Sequence, residues 1–208
     1  MKEYSFGIDQ RQVDQLFSPI RDKRDVVRLL MKIIKLMLVN APPKAIDTKG
    51  EVVLHVSKMS RIFFFSAFRY FSICFPFTVS DEEGFLAFSS GGIIDVDSKT
   101  TSDVLSFINS DENFNVNCVY QFIEPILDIS HYEPNFWMLL LKLLTLDDGY
   151  IRYDYDEENE QGLIHPKNHY DVFYSSNSTF KVGLKGKLKK EEMIDFVKSE
   201  SDCHFIEV

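Results

Sequence analysis

Residues 149–155, Gly149-Tyr150-Ile151-Arg152-Tyr153-Asp154-Tyr155, decide how this chain is read. The segment before it, Asn135 to Leu146, has the spacing of a helix, and Asp147-Asp148-Gly149 ends it. From Tyr150 the period is two. Successive side chains of a strand point to opposite faces, so Arg152, Asp154 and Asp156 share one face while Tyr153 and Tyr155 share the other. Two later segments repeat the pattern, His169-Tyr170-Asp171-Val172-Phe173-Tyr174 and Thr179-Phe180-Lys181-Val182-Gly183-Leu184. The acidic turn from Glu157 to Gly162 and the run Ser175-Ser176-Asn177-Ser178 separate them. Three such segments predict an antiparallel meander.

Working back towards the N-terminus, helical patterns dominate the reading. Gln10 to Phe17 is helical, and Pro19 interrupts it. Asp22 or Asp25 caps a second helix that runs to about Val39 and stops at Asn40-Ala41-Pro42-Pro43. Its Arg24, Arg28, Lys32 and Lys35 form one basic stripe on an otherwise apolar surface. Glu51 to Val56 is a strand. Ile62 to Phe75 is rich in Phe, and its aromatics favour strands although its length also suits a helix. Asp81-Glu82-Glu83-Gly84 turns a hairpin, and Ser89-Ser90-Gly91-Gly92 is a loop. Thr101 or Ser102 caps a helix to Asn109, Phe114 to Ile129 is a helix bent at Pro125, and Pro134 opens the helix from Asn135. Lys189 to Ser199 closes the chain as a helix, with Cys203 to Val208 as a last strand. The expected fold is one α+β domain over residues 1–208. It has a helical first half and middle and an antiparallel β meander in the C-terminal third.

Composition sets the class. The chain has 208 residues, 45% hydrophobic and 26% charged, which is globular rather than disordered. Cys74, Cys118 and Cys203 lack metal-ligand spacing and are read as buried structural thiols in a reducing cytosol. The start Met1-Lys2-Glu3-Tyr4-Ser5-Phe6-Gly7 is not a secretory signal. Ile62 to Val79 is the greasiest stretch, but Arg69 and Pro76 within it argue for core, so a cytoplasmic protein with no membrane span is expected. Charge is uneven. Residues 1–70 hold 13 Lys/Arg against 7 Asp/Glu, and residues 71–180 hold 4 against 19. A net charge of −9 argues against non-specific coating of DNA, and leaves room for a local basic groove.

Chemistry concentrates in the last third. His165, His169 and Asp171 are the candidate acid–base groups, because imidazole titrates near neutral pH. Asp154 and Asp156 are candidate ligands for a divalent metal, since carboxylates and imidazoles suit such ions. Arg152, Lys167 and Lys181 are candidate phosphate binders. The plain alternatives are a solvated acidic turn and structural ion pairs. No Walker loop, Gly-x-Gly-x-x-Gly, Gly-x-Ser-x-Gly or His-Glu-x-x-His occurs. With 19 Phe and 9 Tyr, the chain also has rings to stack bases near Arg61, Arg69 and Tyr70, although Phe mostly packs cores. Trp137, in Phe136-Trp137-Met138-Leu139-Leu140-Leu141, is central core, or a protein interface if its helix is exposed.

The segments Gly149 to Asp156, His165-Pro166-x-x-His169-x-Asp171 and Thr179 to Leu184 resemble a family of uncharacterised bacterial proteins of about this length. The resemblance implies a bacterial accessory protein from mobile or defence-associated gene neighbourhoods, with the last third as the family's characteristic region. It assigns no reaction. The leading expectation is therefore a protein that acts through protein partners or as a homo-oligomer, in a phage-defence or toxin-like system. Two alternatives stand beside it. One is a nuclease built on the His/Asp cluster, with or without a divalent metal. The other is a single-stranded nucleic-acid binder using the basic stripe.

Overall fold

The strand at Tyr150–Tyr155 proves to be one member of a sheet that draws on the whole chain. The computed structural model describes residues 2–39, 47–115, 118–130, 135–175, 178–198, 201–202 and 204. In chain order the elements are β1 (Lys2–Ile8), α1 (Gln10–Leu16), α2 (Lys23–Val39), β2 (Gly50–Val56), β3 (Arg61–Phe65) and β4 (Arg69–Cys74). Then come β5 (Thr78–Glu82), β6 (Phe85–Ser90), β7 (Ile94–Asp95), α3 (Ser98–Asn109), α4 (Val119–Ser130) and α5 (Phe136–Thr145). The chain continues with β8 (Ile151–Tyr155), β9 (Asn168–Ser175), β10 (Ser178–Gly183) and α6 (Lys190–Phe196).

This corrects the expected fold class. The described residues form ten strands in two antiparallel sheets with six helices, and the strands are spread through the chain. A helical first half with a C-terminal meander does not describe it. β1 is a strand the sequence reading lacks, whereas the strands expected at Glu51 to Val56 and within Ile62 to Phe75 are present. β1 alternates Tyr4, Phe6 and Ile8 against Glu3, Ser5 and Gly7, the pattern of a half-buried strand. β2, β3 and β4 are buried on both faces, so they appear as unbroken apolar runs in which the period of two is lost. A smaller correction concerns α3, which starts at Ser98. The Asp97 side chain accepts a hydrogen bond from the Thr100 N–H (2.7 Å) and caps the helix before Thr101.

The chain divides into two compact units. The first comprises Met1–Val13, Pro43–Phe75 and Asp148–Val208, and the second Asp14–Pro42 and Pro76–Asp147. In the first unit the sheet order is β1-β2-β3-β4-β8-β9-β10. One face carries Val53, Phe63, Phe65, Tyr70, Tyr153 and Tyr170, which pack with Met193 of α6. The other face changes character across the sheet. On β1 to β4 it presents fully buried Ile8, Val52, Leu54, Ile62, Phe64 and Ile73, and Phe64 stacks on Phe71 at 4.4 Å. From Arg69 onward the same face presents Arg152, Asp154, His169, Asp171 and Lys181, set side by side by the register.

In the second unit α2 buries Val26, Val27, Leu30, Met31, Ile33 and Ile34 among others. Phe107 of α3 meets Phe114 and Phe122 edge-on, each at 5.7 Å. Three of the four cations in the basic stripe of α2 are engaged inside this unit. Arg24 pairs with Asp111 (3.0 Å) and lies over the Phe114 ring, Arg28 donates to Asn109 (2.8 Å) and pairs with Asp25, and Lys35 donates to Ser102 (2.6 Å). Of the thiols read as buried, Cys118 is exposed and Cys74 is intermediate beside Arg61. The stop at residues 40–43, Pro134, the turn centre at Ser176 and Asn177, the end of the last helix at Ser199, and the strand expected over Cys203 to Val208 (save His204) lie outside the described residues. No helix among those described is long and apolar enough to cross a membrane.

Gly50 shows how closely the strands approach. A Cβ there would lie 2.7 Å from the Phe65 carbonyl oxygen and 3.1 Å from the Ile8 side chain. Gly50→Ala is expected to cost about 1–3 kcal/mol, the usual effect of forcing atoms into a packed site. Urea unfolding measures it, and an unchanged midpoint would show that β2 and β3 separate freely.

Candidate functional site

The polar cluster is a product of strand register. Pairing sets Arg69 opposite Asp154, Asp154 opposite His169, Arg152 opposite Asp171, and Asp171 opposite Lys181. One face of β4, β8, β9 and β10 thus collects two carboxylates, three cations and an imidazole. All four carboxylate oxygens are engaged. Asp154 Oδ1 accepts from Arg69 Nε at 2.7 Å, and its Oδ2 lies 2.7 Å from Arg152 Nε as an ion pair without hydrogen-bond alignment. Asp171 Oδ1 accepts from Lys181 Nζ at 2.7 Å, and its Oδ2 accepts from Arg152. The Arg152 guanidinium also lies 5.5 Å over the Phe173 ring, and Phe173 packs on the half-buried Tyr150 at 4.5 Å. Burial pushes the Asp171 carboxyl up. The hydrogen bond from Lys181 and the charge of Arg152 outweigh that and hold it below the ordinary carboxylate range. Burial lowers Arg152, and Asp154, Tyr150 and Asp171 together more than restore it.

His169 is 1% exposed and both ring nitrogens are occupied. Its Nδ1–H donates to the Pro166 carbonyl (2.7 Å), which fixes the neutral tautomer, and Nε2 accepts from Lys181 (2.8 Å). Gly183 makes this arrangement fit. It pairs with His169, and a Cβ on it would meet Pro166 Cγ at 2.9 Å.

Of the residues singled out by sequence, the fold brings together Arg152, Asp154, His169, Asp171 and Lys181. It does not bring Asp156 or Lys167 to them. Asp156 lies past the end of β8 and closes the turn by accepting from Asn159 N (3.1 Å) and Nδ2 (3.0 Å). Those bonds and His165 pull its carboxyl low against the opposing effect of burial. Lys167 pairs with Glu157 and lies over the Tyr155 ring. His165 touches both groups, 3.3 Å from Asp156 and edge-on to His169 at 4.8 Å. Arg69 was read only for its charge in an apolar run and as a neighbour of aromatic rings. Its signal was available, because a charged group in a buried strand needs a carboxylate on a neighbouring one.

Ligand atoms of Asp154, His169 and Asp171 lie within 4.8 Å of one another, a spacing open to a metal ion. The residues do not fit a divalent cation as they stand, since Arg69, Arg152 and Lys181 already contact every one of those atoms. As an acid–base set the cluster is equally committed. Its chemistry is internal neutralisation across four strands.

A second surface lies in the second unit. On α5, Phe136, Leu139, Leu140 and Leu143 are buried, while Trp137, Met138 and Leu141 are 39%, 57% and 39% exposed. They stand at i, i+1 and i+4, one stripe of the helix. Asn135 Nδ2 reaches the Ile93 carbonyl at 3.5 Å, and Ile93 is also exposed. Residues 76–147 hold two Lys/Arg against twelve Asp/Glu.

Asp171→Ala leaves Lys181 without its anion and Arg152 with Asp154 alone. The expected loss is about 3 kcal/mol, the low end for a broken buried pair because Lys181 reaches solvent. The depressed carboxyl sets a pH dependence. Its stabilisation is present above the ordinary Asp value, about 3.9, and is lost as pH falls through the lowered one. Asp171→Asn should therefore be less stable at neutral pH and lose less stability on acidification. Urea midpoints across pH measure this, and parallel curves for the two proteins would contradict it. Millimolar Mn²⁺ should leave the wild-type melting temperature unchanged, whereas stabilisation that disappears in Asp171→Asn would show a metal displacing the lysine.

Compared with known proteins, the chain matches no family model, no curated protein and no solved structure.

Proposed function

We propose that this protein works by docking a protein partner of basic, amphipathic character onto the α5 face of the second unit, as a non-catalytic member of a larger assembly. The observation that carries the reading is the exposed stripe Trp137, Met138 and Leu141 within residues 76–147, which hold two Lys/Arg against twelve Asp/Glu. Exposed aromatic and Met side chains are what protein interfaces concentrate at their centres. The carboxylates of residues 76–147 give the surroundings one sign, which selects a partner of the other sign and speeds its approach. The engagement of every ligand atom in the His/Asp cluster speaks for binding rather than turnover.

Trp137 is the only tryptophan, so its fluorescence reports on this surface directly. A synthetic helical Lys/Leu peptide should shift its emission to shorter wavelength in a saturable way, and an acidic helix of the same length should not. Met138→Glu and Leu141→Glu separate docking from simple charge attraction. Both add negative charge at solvent-exposed positions, so attraction alone would strengthen binding, whereas docking predicts a loss of tenfold or more, about 1.4 kcal/mol. Binding that survives in both variants would sink the proposal.

A further inference from the structure

The turn between β3 and β4 carries a surface that neither the core nor the charged cluster uses. Ser66 closes it. Its N–H and its hydroxyl both donate to the Arg69 carbonyl (2.9 and 3.0 Å), and its Oγ accepts from the Arg69 N–H (3.2 Å). Phe68 stands on this pinned turn 66% exposed. Its carbonyl accepts from the Tyr155 N–H (2.8 Å), and its ring lies nearly parallel to that of Tyr155, 22° apart with centres 6.4 Å apart. The ammonium groups of Lys167 and Lys187 each lie 5.0 Å from the Tyr155 ring centre. On its other side the same turn walls an open cleft of ≈ 500 Å³ with Phe65, Ser66 and Ala67, opposite Thr48, Lys49, Glu51 and Lys190. Lys190 lies 5.5 Å over the Phe65 ring.

The charges sort into committed and free. Lys167 is paired with Glu157, and Lys190 with Glu51 at 2.6 Å. Lys49 and Lys187 make no ion pair among the described residues. An ordered turn therefore holds an exposed ring stacked beside Tyr155, over which Lys187 lies, and borders a cleft that Lys49 lines, in the size range of small-molecule sites. Rings with interleaved cations are how proteins hold unpaired bases, because every base has a face to stack and every nucleotide a phosphate to neutralise. A duplex hides its base faces and would not use the ring.

We propose that this end of the first unit binds a nucleotide unit, free or within a single strand, with the base stacked on Phe68 and the phosphate met by Lys187 and Lys49. It is independent of the partner surface on α5.

The test uses the full chain with a short fluorescein-labelled oligouridine, the same strand in a duplex, and UMP as competitor. The single strand should bind at low salt, with log affinity falling against log salt at a slope of about −1.4, the value for two phosphate contacts on a single strand. Phe68→Ala should weaken binding about tenfold. Lys187→Ala should weaken it and reduce the slope by about 0.7. Phe68 is exposed, so its variant should melt with the wild type and a loss of binding would not be a loss of fold. UMP that displaces the strand and binds as tightly as it does would identify the ligand as a free nucleotide, and a much tighter strand would identify single-stranded nucleic acid. Absence of binding at low salt, equal binding of the duplex, or unchanged binding by Phe68→Ala would each overturn the proposal.

Discussion

Two carboxylates, Asp154 and Asp171, lie within a sheet with 7% and 3% of their surface exposed, and neither can stay ionised there alone. Removing an ion from water costs several kcal/mol, and only well-placed counter-charges recover it. Arg69 on β4, Arg152 on β8 and Lys181 on β10 supply them. This requirement fixes more than local chemistry. A slip of one residue would turn both carboxylates to the face of Tyr153 and Tyr170, among aromatic rings and away from Arg69, Arg152 and Lys181. The neutralised set therefore specifies the register of four strands. Lys181 is shared between Asp171 and His169, so the imidazole keeps its Nε2 lone pair for the lysine and its proton for Pro166.

The two units differ in the surfaces they present. The first unit presents, at the β3–β4 turn, an aromatic ring among lysines. The second presents apolar side chains in acidic surroundings. The contrast follows from composition. Residues 76–147 carry nearly all of one charge, while Lys181, Lys185, Lys187, Lys189 and Lys190 crowd into ten positions of the first unit.

Much of this was legible in the sequence where one side of an element meets solvent. β9 and β10 showed their period of two because their faces differ, and the β5–β6 hairpin was marked by Gly84, which takes φ 90° in the turn. α2 declared itself through its length and its capping aspartate, whose Oδ1 accepts from the Asp25 N–H. The signal faded where both faces are covered. Phe63, Phe64 and Phe65 are all buried, and a run without alternation does not distinguish strand from helix. β1 escapes the sequence reading although Tyr4, Phe6 and Ile8 alternate, because its partner β2 lies some forty residues away and nothing local marks the pair. In the site, the face shared by Arg152 and Asp154 followed from alternation alone. Arg69 did not, because its meeting with Asp154 depends on β4 and β8 being neighbours. Asp156 was misplaced for a simpler reason. β8 ends at Tyr155, so counting by twos stops being valid one residue before it.

The order of strands in the large sheet has one more consequence. Taken along the sheet, β1-β2-β3-β4-β8-β9-β10 follow one another in strict chain sequence, every pair antiparallel, as in a simple meander. Two excursions interrupt it, residues 9–49 between β1 and β2 and residues 75–150 between β4 and β8. Loop-closure entropy grows only with the logarithm of length, about 0.6 kcal/mol per doubling, so such excursions cost little stability. They cost time instead, since the β4–β8 seam joins segments that start far apart and cannot zip from a turn. The same slack lets β8, β9 and β10 of one molecule reach the open β4 edge of another. Strand exchange between copies is thus the misassembly this topology invites, and the seam closed by Arg69 and Asp154 is where it would begin.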